Sequence, residues 1–384
     1  MCPTQNNARR LSSILILSTG FSLTGTGTVM LGVLLPTLSQ QWSLRDDTAG
    51  LLLFLQFFGS ALGAVLTTLH RVRSLIAGYG LLVLSSGSLA LAGTHPPFVT
   101  FFFFGLGLGM TMTSTSLLFS DRWSDDRAAK LEWLNFAWSA GATAGPILFL
   151  PFLRSADIRT LFWTLGGVFL FLWAWVILRE RQGPAVPSSS AAQPASTRGV
   201  FLQLILLAMC SVGVEAALSG WLTTYSHRAG LKSLAGAAVA TSLFWLGGML
   251  SRLAFSTRLL AKIGRRATLQ GAMWGVLASV AALIAATSPA MILAVAGVAG
   301  LCIGPLYPLL LSFLLERSAR GWIFSVGGIG AAFFPWLTGL LSAHFHSLRL
   351  GLLAPCGAGL MMVILQSIGA RPAKTAEVPA PVHL

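Results

Sequence analysis

The run SVGVEAALSGWLTTY, residues 211–225, is apolar apart from a few hydroxyls and one carboxylate, Glu215. It lies inside a hydrophobic segment from about Val200 to Ser226, long enough to cross a bilayer. An acid near the centre of such a span costs about 2.5–3.5 kcal/mol even on the lenient insertion scale, so it is expected to serve substrate binding, ion coupling or a buried pair. On a helix, Ser211, Glu215, Ser219 and Thr223 follow one another at i+4 in a row that drifts over roughly 120°. Tyr225 and Trp221 fall on the far side of Ser211, roughly 80° and 120° from Glu215, with Leu218 and Leu222 lying between. The stripe offers a titratable group, hydroxyls that hydrogen-bond a polar solute, and ring faces on which the C–H face of a sugar packs. Gln56, Asn135, Trp138, Phe244, Trp245 and Tyr307 are further candidates for the wall of such a site. For Phe244 and Trp245, packing or interfacial anchoring is an equally good reading.

The elements that would hold these residues follow from composition. Of the 384 residues 55% are hydrophobic and only 9% charged, and the mean hydropathy is +0.77, far from the roughly one-quarter charged usage of soluble domains. The chain is therefore an all-α integral membrane protein. Apolar runs give about twelve spans, near residues 13–38, 48–68, 74–93, 98–119, 131–153, 159–178, 201–226, 233–255, 267–287, 290–314, 321–343 and 348–369. The apolar run after the N-terminal MCPTQNNARR is too long for a signal-peptide core, so the first helix is expected to be retained. Cys2, Cys210, Cys302 and Cys356 show neither a disulfide framework nor zinc-ligand spacing, and His344 and His346 have no third ligand nearby. No HExxH, GxSxG or pair of embedded carboxylates points to an enzyme, and no cofactor or metal site is expected.

The net charge of +14 suggests nucleic acid until its distribution is followed. With twelve spans, one side of the membrane receives Arg9, Arg10, Arg71, Arg73, Arg122, Arg127, Lys130, Arg179, Arg181, Arg198, Arg252, Arg258, Lys262, Arg265, Arg266, Arg317, Arg320, Arg371 and Lys374 with both termini. The other side receives Arg45, Arg154, Arg159, Arg228, Lys232 and Arg349. That asymmetry is the positive-inside rule: it predicts cytoplasmic termini in a plasma (inner) membrane and removes the case for nucleic acid. The Pro-, Ser- and Ala-rich stretch RERQGPAVPSSSAAQPASTRG reads as a flexible cytoplasmic linker. The expected organisation is a six-helix bundle over 1–178, a linker over 179–200, a second six-helix bundle over 201–370 and a cytoplasmic tail over 371–384.

The two halves repeat. Gly109 precedes Asp121 and Arg122 in span four as Gly304 precedes Glu316 and Arg317 in span ten; GATAGP in span five matches GAAFFP in span eleven; and Gly59 and Gly63 align with Gly248 and Arg252. Gly59 with Gly63, and Gly141 with Gly145, form GxxxG faces suited to close helix approach. This pattern, with GGMLSRLAFSTRLLAKIGRRA across spans eight and nine, resembles the major facilitator superfamily. VGVEAALSGWLTTYSHRAG, SLFWLGGMLSRL and GPLYPLLLS are similar to its fucose:proton symporter family and glucose-transporting relatives. The resemblance implies two bundles related by a pseudo-two-fold axis, with spans two, five, eight and eleven between the halves, so that close packing and sliding would share one surface.

A secondary active transporter is thereby implied, moving a small polar solute, a sugar first, by alternating access. Proton or sodium is the candidate coupling ion, and a single chain and the bilayer are the only partners expected beside the solute. Span four carries no acid, unlike the symporters resembled, which leaves Glu215 as the embedded group for coupling; Asp46 and Asp47 read as the N-cap and first-turn acid of span two. Asp121 and Arg122, and Glu316 and Arg317 with Arg252, are expected to act as cytoplasmic latches between the halves. The rival reading on the same fold is an exporter of drugs or amphipathic metabolites.

Overall fold

The computed structural model describes residues 3–67, 71–122, 127–155, 157–179, 198–255, 262–315 and 323–369. Most of the linker and all of the tail expected from the sequence lie outside these described residues. Twelve helices are long and apolar enough to cross a membrane: α1 Ser13–Gln41, α2 Asp46–Leu66, α3 Arg71–Ala90, α4 Phe98–Asp121, α5 Leu131–Ser155, α6 Ile158–Leu178, α7 Gly199–Arg228, α8 Leu234–Ala254, α9 Arg265–Ala285, α10 Pro289–Leu314, α11 Val326–Phe345 and α12 Leu348–Ile368. Each lies within a few residues of the run that its hydropathy predicts. Prolines interrupt three of them: α5 at Phe149, ahead of Pro151; α10 between Ile303 and Leu306, at Gly304 and Pro305; and α12 at Leu352, ahead of Pro355. Large apolar side chains such as Leu84, Phe171 and Leu178 stay exposed, the pattern of a surface solvated by lipid, while Tyr79, Phe101, Phe104 and Phe169 are buried.

The helices form two six-helix bundles, α1–α6 and α7–α12, built by the same pairings. In the first bundle α2 packs on α4 so closely that a Cβ on Gly105 or Gly109 would overlap the carbonyl oxygen of Gln56 or Ser60. In the second, α8 packs on α10 with Gly300 against the carbonyl of Phe244 and Gly304 against that of Gly248. The match continues in the other pair read from the sequence: Gly141 of α5 abuts the carbonyl of Ser22 in α1, and Gly330 of α11 that of Met209 in α7. The aligned glycines thus hold the bundles together internally, because only a residue without Cβ lets two backbones approach so far.

This corrects one expectation. Gly59 and Gly63 face Phe102 and Leu106 of α4, and Gly145 faces Thr26 and Val29 of α1, so neither GxxxG face is part of the surface between the halves. That surface is formed as expected by α2 against α11 and α5 against α8, joined by α1 against α7. Its close contacts come from other small residues, Gly50 against Trp336 and Gly339, and Gly328 against Ala61. Gly141→Val and Gly330→Val are each expected to lower the melting temperature in detergent, the overpacking costing about 1–3 kcal/mol or more. Gly167→Ala and Gly357→Ala, with no atom near the added Cβ, are the matched controls and should leave it unchanged. Equal melting of all four variants would remove the glycines from the account of bundle assembly.

Candidate functional site

Glu215 lies near the middle of α7, and the structure brings Arg252 of α8 to it: Nη2 donates to Oε1 at 2.9 Å. The guanidinium reaches two further acceptors on other helices. Nη1 donates to the Ser139 hydroxyl of α5 at 2.9 Å, across the gap between bundles, and Nε to the Gly304 carbonyl of α10 at 3.3 Å. That carbonyl is available for a covalent reason: the residue four positions on is Pro308, which has no N–H to donate to it. The interruption of α10 and the arginine of α8 therefore complete one another. Glu215 and Arg252 keep 12% and 20% of their side-chain surface exposed, so the pair is accessible although it sits between helices.

Aromatic rings frame the guanidinium. Trp138 and Trp245 meet edge-on with centroids 5.0 Å apart, and the Arg252 Cζ lies 5.9 Å and 6.0 Å from the two ring centres, within cation–π range. Phe244 backs Trp245 at 5.3 Å, and the Trp245 indole donates to Ser219 of the polar stripe at 3.1 Å. Tyr307 is the second residue of α10 after the break. Glu215, Ser219, Trp138, Phe244 and Trp245 are thus gathered around Arg252.

Other expected wall residues lie elsewhere. Trp221 is fully buried and donates its indole N–H to the Pro335 carbonyl of α11 at 2.8 Å; Tyr225 is buried with its hydroxyl on the Leu283 carbonyl of α9. Both are packing residues of the second bundle, because α9 and α11 occupy the sides of α7 on which they project. Gln56 is buried in α2 with Nε2 on the Thr28 carbonyl at 3.0 Å, and Asn135 is exposed on α5. Neither makes a recorded contact with Glu215.

The expected latches change character. Asp121 pairs with Arg71 at the start of α3, inside the first bundle. The side chain of Arg122, and Glu316 and Arg317, lie outside the described residues. Arg252, placed by sequence at the basic end of α8, sends its side chain inward to Glu215 instead of along that face. The structure does contain an ion pair between the bundles, at the opposite face: both Arg228 nitrogens donate to the Asp46 carboxylate at 2.7 Å, and Ser342 of α11 donates to Asp46 at 2.5 Å. Asp46 is therefore not a cap of α2; the N-cap position is Arg45, without a side-chain capping bond.

The Major Facilitator Superfamily model matches residues 17–320. No curated protein matches the chain. Among solved structures it is similar to a bacterial homolog to human lysosomal transporter Spinster in an inward-facing and unoccupied conformation, with 16% identity, a TM-score of 0.64, and coverage of 94% of this chain and 96% of that one. The same homolog in its inward-facing and occupied conformation gives 17%, 0.64, 93% and 95%. The Escherichia coli fucose:proton symporter FucP gives 14%, 0.61, 93% and 98%. At these identities the structures speak for the fold, twelve helices in two bundles, while the family match covers most of the sequence. The chain belongs to the Major Facilitator Superfamily, as an integral membrane transporter of the secondary, alternating-access kind and not an enzyme.

Proposed function

We propose that this transporter moves a small polar solute of the sugar class and couples its movement to an ion through Glu215. The observation that supports this most is the partly accessible Glu215–Arg252 pair, which touches Ser139 of the other bundle. A charge pair of the second bundle that also bonds Ser139 of the first can sense both the solute and the state of the carrier. The proton is the favoured coupling ion: sodium needs several oxygen ligands, which one carboxylate already bonded to a guanidinium at 2.9 Å does not offer, whereas a proton needs a single carboxylate oxygen, at the cost of loosening the pair with Arg252. The Glu215 carboxylate is already neutralised by Arg252 and so offers a lipophilic cation no free counter-charge, which weighs against the drug-exporter reading. Hydroxyls of Ser139 and Ser219 and the rings of Trp138 and Trp245 supply what a polyhydroxylated solute needs.

The remaining parts of the proposal rest on the charge distribution and the repeat. The basic face lies in the cytoplasm with both termini, in the plasma (inner) membrane, and residues 179–200 link two bundles of one working monomer. The test is uptake into proteoliposomes from a panel of labelled hexoses and hexose derivatives, with imposed proton or sodium gradients. Accumulation driven by a proton gradient supports the proposal. Uptake of lipophilic cations without any sugar-class solute would overturn it.

A further inference from the structure

The donors and acceptors around Glu215 do not balance. Arg252 carries five N–H groups, of which Gly304, Ser139 and Glu215 each take one. The other two have no protein acceptor, and the side chain is 20% exposed. The indole N–H of Trp138, whose ring lies beside the same guanidinium, is buried and has no hydrogen-bond partner. Against these three donors the acceptors left over are Glu215 Oε2 and the buried hydroxyl of Ser251 beside Gly304. A buried donor left unpaired is costly, so a site with more N–H groups than acceptors around the partly exposed Arg252 favours a ligand rich in acceptors. We infer that the solute carries a carboxylate: the site takes a small hydroxylated carboxylic acid, a sugar acid, whose carboxylate binds Arg252 and the Trp138 indole N–H.

Charge decides how such a solute enters. Arg252 and Glu215 together are neutral, so the addition of a carboxylate leaves an uncompensated negative charge between the bundles. Transfer of a proton to Glu215 removes it: the proton arrives from the solution, forms an O–H bond on the Glu215 carboxylate, and Arg252 exchanges one carboxylate partner for another. Solute and proton then bind together and the loaded site is neutral again. A neutral sugar lacks this symmetry, since protonation of Glu215 leaves the guanidinium without an anion. Among the described residues Arg252 from α8 is the charged group paired with Glu215, and no second acid is paired with Arg252. This inference rests on the proposed sugar-class function and narrows it.

The test uses the purified full-length protein with D-glucuronate and D-galacturonate, each against its neutral parent, D-glucose and D-galactose. Calorimetric binding is followed by uptake into proteoliposomes held at zero membrane potential. At least one acid is expected to bind more than about tenfold tighter than its parent, with uptake accompanied by internal acidification that a clamped potential leaves unchanged. Arg252→Gln should erase the preference, and Arg252→Lys should keep part of it because the charge stays while the fork geometry is lost. Trp138→Phe keeps an aromatic ring and removes the N–H, so it should lower the ratio of acid to neutral-sugar affinity several-fold; this holds even if the arginine variants fail to fold. Binding of the neutral parents as tightly as the acids, or an acid preference that survives both Arg252→Gln and Trp138→Phe, overturns the inference. Gradient-driven uptake of neutral sugars alone overturns it while leaving the proposed function standing, and transport of none of the four overturns both.

Discussion

Glu215→Gln is expected to abolish gradient-driven accumulation while solute still equilibrates across the membrane. The amide keeps the shape of the side chain and can still accept one N–H from Arg252, so the wall of the site survives; the group that exchanges a proton does not. The cost to folding should be modest. Breaking a fully buried ion pair costs about 3–5 kcal/mol, but here both partners are partly exposed and Arg252 keeps Ser139 and the Gly304 carbonyl, which brings the expected loss to roughly 1–2 kcal/mol. Counterflow, which needs no driving ion, separates the two effects: the variant should exchange labelled for unlabelled solute yet fail to concentrate it. In Glu215→Gln with Arg252→Gln, melting should recover toward that of the original protein because no unpaired charge remains, and accumulation should stay absent. Accumulation at the original rate in Glu215→Gln would remove coupling from this residue.

The sequence carried the frame of this site further than its details. Twelve spans were readable because bilayer thickness imposes a length on every apolar run, and the aligned glycines were readable because backbone contact tolerates no side chain. Glu215 stood out through the cost of placing an acid at mid-span. Arg252 did not reveal its role. It occurs where the positive-inside rule expects an anchor, two residues from the end of α8, and hydropathy does not tell whether a long side chain runs outward to water or inward to a carboxylate. Trp221 and Tyr225 share a helix with Glu215, but a helical wheel does not say which neighbours cover its other faces, and α9 and α11 take those positions. The unpaired Trp138 N–H and the carbonyl freed by Pro308 belong to the same class of fact, since both appear only when three helices are assembled.

Asp46 shows the limit most plainly. An acid in the first turn of a helix has a sufficient local explanation in the helix dipole, and nothing local suggests a partner 182 residues away. Yet its carboxylate is bound by α7 and α11 together, at the face opposite the basic one. The face that Asp46 closes and the pair at Glu215 lie on the same helix, α7, with Arg228 thirteen residues beyond Glu215. A shift of α7 that accompanies solute binding therefore acts directly on the far closure, without requiring a separate chain of contacts.

Loss of this closure is expected to move the carrier toward the state open at that face. In Asp46→Asn and Arg228→Ala the bidentate pair is gone; Ser342 keeps the carboxylate in the second variant and has only a neutral amide to bond in the first. Arg228 is 45% exposed and Asp46 12%, so solvent screening limits the pair to roughly 1 kcal/mol, a several-fold change in the ratio of the two states and not a switch. Labels on Gln41→Cys and Lys232→Cys, both exposed at that face and one in each half, report it as a distance distribution once the native cysteines are replaced. Longer distances should gain population in both variants, Ser342→Ala should give a smaller shift in the same direction, and the exchanged pair Asp46→Arg with Arg228→Asp should restore part of the original distribution. The melting temperature should change little, because the packing of α2 on α11 through Gly50 and Gly339 is untouched. Distributions identical to the original in both single variants would mean that helix packing alone closes the face, with the ion pair as a bystander.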